Sequence, residues 1–146
     1  MRSEKRIRNI NWIDYGISKN RYEELKSFCK QYEEKKSKIK YGLSSNNGDG
    51  MPHSNEVGNP TERNAINNSI YADECKMIEE AAIKTNPIIY RYLLKSVTMG
   101  LSYEEIEYDR KYGRIPMCRS DFYGYRRLFF HYLDKFNMEH KINKVS

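Results

Sequence analysis

This chain has no long apolar run. No stretch approaches the ~18 consecutive apolar residues of a membrane span, and mean hydropathy is −0.91, so no membrane partner is expected. The basic N-terminus runs into Asn11, Trp12 and Asp14 rather than an apolar signal segment, which predicts a cytoplasmic protein. Cysteine is scarce: Cys29, Cys75 and Cys118 are an odd number at wide spacing, which argues against a disulfide framework and a chelating knuckle. The histidines, His53, His131 and His140, share no ligand spacing with them, so no metal site and no cofactor is expected. No paired acid, base or nucleophile can be read around His53, and 146 residues bury one modest core or two small ones rather than a large enzyme cavity. An enzyme is not expected.

Positive charge and tyrosine are what the chain does have. Net charge is +6, and thirteen tyrosines stand against one tryptophan and five phenylalanines. A basic balance of this size suits a polyanionic partner, usually nucleic acid, and tyrosine can lie half in a core and half against a polar partner.

The periodicities are helical throughout, which predicts an all-α fold. Residues 1–18 read as a flexible basic arm carrying Arg2, Lys5, Arg6 and Arg8, ending in a patch of Trp12, Ile13, Tyr15 and Ile17 that should pack on the next helix. Ser18 is a good N-cap. From Lys19 to Tyr41 apolar residues recur at threes and fours, predicting one amphipathic helix, on which the Glu33 to Lys38 charge run is a solvated face. The turn-rich stretch 42–58 predicts a flexible loop, within which His53 reads as a polar surface residue. Asn59-Pro60 with Glu62 marks the start of a second long helix ending near Thr85. Together, residues 19–85 are expected to form a long antiparallel hairpin whose leftover apolar surface supports a homodimer.

Residues 86–137 read as a three-helix module. Asn86-Pro87 starts a helix that Gly100 ends, and Ser102 with Glu105 completes a capping box. A turn around Gly113 and Pro116 leads to a helix from Cys118 or Arg119 to Phe136, followed by a flexible tail, 138–146. This order is that of a helix-turn-helix whose last helix enters a DNA groove. Phe122, Tyr125, Phe129, Leu133 and Phe136 form its core stripe, and Ser120, Tyr123, Gly124, Arg127 and His131 fall opposite. Between Arg110 and Arg127, six basic residues face a single acid, Asp121. The expected DNA-binding residues are Lys111, Arg114, Arg119, Ser120, Tyr123, Arg126 and Arg127: Ser120, Tyr123 and Arg127 toward base edges, Arg119 and Arg126 toward the backbone. Gly124 costs ~1 kcal/mol of helix propensity relative to alanine, which points to close approach of a backbone or a partner.

Trp12-Ile13-Asp14-Tyr15-Gly16-Ile17, Met51-Pro52-His53, Leu94-Lys95-Ser96-Val97-Thr98 and Ile115-Pro116-Met117-Cys118-Arg119, leading to Phe122-Tyr123 and Arg126 to Phe130, resemble short proteins carried by prophages of Gram-positive bacteria. The layout is similar to Rin- and Arp-type phage late-gene regulators, whose C-terminal helix-turn-helix is like region 4 of sigma factors. The resemblance implies sequence-specific binding of double-stranded DNA and transcriptional control; in that reading the helical hairpin makes a dimer or contacts RNA polymerase. Tyr108 to Arg114 departs from that pattern, being longer and more charged than a compact turn. Two other readings stand beside it: a DNA-packaging or excision accessory factor similar to a small terminase subunit, and a protein-binding phage inhibitor of host defence.

Overall fold

The computed structural model describes residues 5–45, 60–109 and 113–145, with side-chain surroundings for 5–39, 66–109 and 113–142. The described residues are helical and contain no strand, as the all-α reading requires. A 3-10 turn, Ile7–Asn9, precedes α1 (Trp12–Tyr15), α2 (Lys19–Lys30), α3 (Tyr32–Ser45), α4 (Pro60–Thr85), α5 (Tyr90–Met99), α6 (Tyr103–Tyr108) and α7 (Arg119–Val145). No described helix is long and apolar enough to cross a membrane.

Local chemistry sets most helix ends. Ser18 accepts from the Arg21 N–H at the start of α2. The Asn86 side chain accepts from the backbone of Ile88 and Ile89, an Asx turn that delays α5 to Tyr90. Gly100, at φ +70°, ends α5 in the left-handed region that glycine enters without strain. Ser102 and Glu105 form the reciprocal capping box of α6.

The sequence reading fails where tertiary packing overrides local signals. The single helix expected over 19–41 breaks at Gln31, whose N–H turns to the Phe28 and Cys29 carbonyls instead of continuing the i→i−4 ladder. The break lets two faces serve different partners: α2 packs on α5 and α7, whereas α3 packs on α4. Residues 42–45, expected in a loop, lie in α3; the rest of that loop, His53 and the Asn59 cap fall outside the described residues. The expected flexible tail is the last part of α7.

One hydrophobic cluster holds these elements together. Leu25 and Cys29 of α2, Ile78, Ala81 and Ala82 of α4, Ile89, Leu93 and Val97 around α5, Ile106 of α6 and Ile115 meet Phe122, Phe129, Phe130 and Leu133 of α7. The three phenylalanines are fully buried, each contributing ~2 kcal/mol or more through apolar area removed from water. Phe130 lies off the expected stripe and is buried all the same, packed against Tyr22 and Trp12 at 5.2 and 5.9 Å between ring centroids. α7 is therefore covered on two sides, by α4 and α5 on one and by the N-terminal segment on the other. Between α6 and α7, the described residues 113–118 contain no helix.

Against α4, α3 runs antiparallel. Lys35 is buried and pairs with Glu74 at 3.1 Å, the Tyr32 hydroxyl donates to Glu79, and Lys38 lies over the Tyr71 ring.

Candidate functional site

The N-terminal segment is docked along α7 rather than free. Ile7 and Arg8 cross the helix at Gly124, and a Cβ built there would lie 2.6 Å from the Ile7 carbonyl oxygen and 3.0 Å from the Arg8 nitrogen. Only glycine admits that approach. Arg8 donates to both carboxylate oxygens of Asp121, at 2.8 and 3.2 Å; this pair holds the Asp121 carboxyl below its ordinary range, chiefly by hydrogen bonding. Arg127 reaches back from α7, donating from Nε to the Ile10 carbonyl at 2.7 Å and from Nη2 to the Arg8 carbonyl at 3.0 Å. Trp12 packs on Tyr22 in a tilted pair with 4.6 Å between centroids, and Tyr15 stacks on His131 at 4.8 Å.

Between this segment and the start of α7 opens a cleft of about 450 Å³, lined by Arg8, Trp12, Tyr22, Arg119, Ser120, Tyr123, Arg126 and Arg127. Among the described residues, four guanidinium groups and no carboxylate line it. Two of the four are locally balanced, Arg8 by Asp121 and the exposed Arg119 by Glu104 at 2.9 Å. The other two are not. Arg126, half-buried, donates to the Ser96 hydroxyl at 3.1 Å and the Tyr22 hydroxyl at 3.0 Å, and lies 5.1 Å from the Phe130 ring centroid. Among the described residues, Arg127 donates to the two carbonyls alone. No described carboxylate pairs with either. A half-buried cation satisfied only by neutral groups carries a desolvation cost that an anion would offset. Guanidinium forks match the oxygens of a phosphate, and the first turn of α7, at Ser120, adds the positive end of a helix dipole.

The structure thus brings Arg119, Ser120, Tyr123, Arg126 and Arg127 to one cleft, but in other roles than a free recognition face gives them. Tyr123 accepts the Tyr103 N–H at 3.0 Å, tying α7 to α6, and Arg119 stacks over the Tyr123 ring at 4.8 Å. The face expected to read bases is occupied by the chain's own N-terminal segment at Gly124 and Arg127. Arg114 is exposed and outside the cleft; its carbonyl accepts from the Tyr92 hydroxyl at 3.3 Å. Lys111 lies outside the described residues. Arg8, Trp12 and Tyr22 are cleft residues that the sequence reading placed in an arm, a packing patch and a helix stripe. The signal that could have found them is Gly124, a mid-helix glycine that asked for a backbone neighbour.

The described residues contain no group of three or more His, Cys, Asp or Glu side chains able to hold a metal ion. Burial pushes the Cys29 thiol up, which suits a packing role rather than a nucleophile. The chain matches no family model, no curated protein and no solved structure.

Proposed function

We propose that the protein binds nucleic acid, double-stranded DNA first, by seating backbone phosphates in the cleft between the N-terminal segment and α7. The observation that carries this reading is the meeting of Arg126 and Arg127, both without a carboxylate partner among the described residues, in a cleft lined by no acid. A net charge of +6 over the whole chain supports it. The contact is to phosphates rather than through a helix in the major groove, because the docked segment covers the relevant side of α7.

With the resemblance to phage late-gene regulators, phosphate binding makes a DNA-binding transcriptional regulator the reading carried forward. A packaging or excision factor would use the same contact and differ in assembly. Light scattering separates them, since a promoter binder is expected as a two-fold dimer and a terminase-like factor as a ring.

Binding to a short duplex over a series of salt concentrations tests the proposal. Log affinity should fall with log salt by about 0.9 for each phosphate neutralised, and Arg126→Gln should lower both affinity and slope. A flat salt response counts against nucleic acid and moves a protein partner to the front.

A further inference from the structure

We infer that the cleft is a two-piece phosphate clamp: residues 5–17 form one jaw, α7 forms the other, and Gly124 is the positioning residue that seats the first on the second. The inference rests on the phosphate-binding reading above and adds how the site is assembled and held.

Three observations carry it. First, the contact at Gly124 is backbone against backbone. The atoms that a Cβ would meet are Ile7 O at 2.6 Å, Ile7 C at 2.8 Å and Arg8 N at 3.0 Å, none of which can swing aside as a side chain could. Glycine inside a helix weakens it, so this position gives up helix stability and gains close approach of the segment. Second, what the approach delivers is functional surface. Arg8 and Trp12 of the segment line the cleft with Arg119, Arg126 and Arg127, and without docking the cleft loses one wall.

Third, the charges along the seam are unbalanced. Docking leaves the Arg127 guanidinium on the Ile10 and Arg8 backbone carbonyls at 2.7 and 3.0 Å, with no carboxylate partner among the described residues, while Arg8 itself pairs with Asp121. An anion in the cleft meets the Arg126 and Arg127 guanidiniums of α7 while lying against Arg8 and Trp12 of the other jaw. By linkage, a ligand that contacts both jaws favours the docked state, and docking favours the ligand by the same factor. Gly124 does not line the cleft, so it acts on the ligand only through the segment.

The test uses the full chain and reads docking and binding separately. Trp12 is the sole tryptophan and sits in the jaw, so its emission reports docking; trypsin cleavage after Arg6 and Arg8 is a second report. For the wild type, inorganic pyrophosphate and a short random-sequence duplex should each slow that cleavage. Gly124→Ala, still helical by circular dichroism, should shift Trp12 emission to the red, speed cleavage and lower duplex affinity by at least about fivefold.

Two results overturn the clamp: Gly124→Ala with red-shifted emission but wild-type affinity, or Gly124→Ala with wild-type emission and cleavage. Should Gly124→Ala not fold, Arg8→Gln removes the Asp121 pair without touching the packing at Gly124. It should show the same loss of affinity and of ligand protection, and wild-type affinity in that variant also overturns the clamp. Absence of salt-dependent duplex binding by the wild type removes the nucleic-acid proposal, while protection by pyrophosphate still supports the clamp and lack of it removes both.

Discussion

Arg127 donates from Nε to the carbonyl of Ile10 at 2.7 Å, joining the N-terminal third of α7 to a segment 117 residues earlier in the chain. A guanidinium placed to read bases on a bare helix would be interchangeable with solvent. Here it satisfies two backbone carbonyls. Arg127→Ala should therefore cost about 1.5–3 kcal/mol of stability, the range for hydrogen bonds to charged groups. It should also weaken binding to cognate and scrambled duplexes by the same factor. Urea unfolding and paired binding curves check this, and a changed site preference at constant stability would show Arg127 reading bases after all.

Lys35 and Glu74 hold α3 to α4 from a buried position, with the lysine Nζ 3.1 Å from the carboxylate and 4.3 Å from the Phe28 ring centroid. Removing one partner strands the other charge, whereas replacing both by apolar side chains of similar size does not. Glu74→Ala should cost ~3 kcal/mol, and the double variant Lys35→Met with Glu74→Leu should lie within ~1 kcal/mol of the wild type. Chemical denaturation of the two variants decides, and equal losses would mean that the pair stabilises the fold by more than it costs to bury.

Helix ends were legible in the sequence where a short-range device sets them: the Ser18 cap and the Ser102 and Glu105 box at helix starts, and Gly100 at positive φ at the end of α5, all act within a few residues. The break at Gln31 was not legible, because the 3.6-residue period continues across it and only the different partners of α2 and α3 require it. The site was half legible. Charge and spacing gathered the arginines of α7, but reading that helix as solvated on one side left out what covers it. Phe130 and Gly124 sit on the covered side, and a segment over 100 residues away in sequence supplies the cover. Such contacts leave no periodic trace.

The hydroxyl of Tyr15 is buried with no hydrogen-bond partner among the described residues, while its ring lies on His131. The ring packs and the oxygen only loses water. Tyr15→Phe should leave docking of the N-terminal segment intact and keep or raise stability, by up to ~1 kcal/mol. Thermal melts with Trp12 emission measure both quantities, and a clear loss of stability would reveal a hydrogen bond made in solution by that hydroxyl.

The imidazole of His131 sits below its ordinary range. Burial penalises the imidazolium and Lys135 repels it, against the smaller opposing pull of Asp134. A group whose folded value is depressed takes up a proton more readily when unfolded. Its contribution is therefore fully present above the unfolded imidazole value, about 6.5, and is lost as pH falls through the lower folded value. Stability should decline on mild acidification, well above the range where the carboxylates of Asp14 and Asp121, themselves held low by their hydrogen bonds, begin to protonate. Because His131 stacks on Tyr15 of the docked segment, the same step should loosen that segment and move Trp12 emission to the red. His131→Gln should flatten both the melting temperature and the emission across this interval while leaving the steeper loss at carboxylate pH in place. Melting and emission profiles for the two proteins, taken across both intervals, check the assignment; an unchanged profile in the variant would trace the mild-acid step to another group.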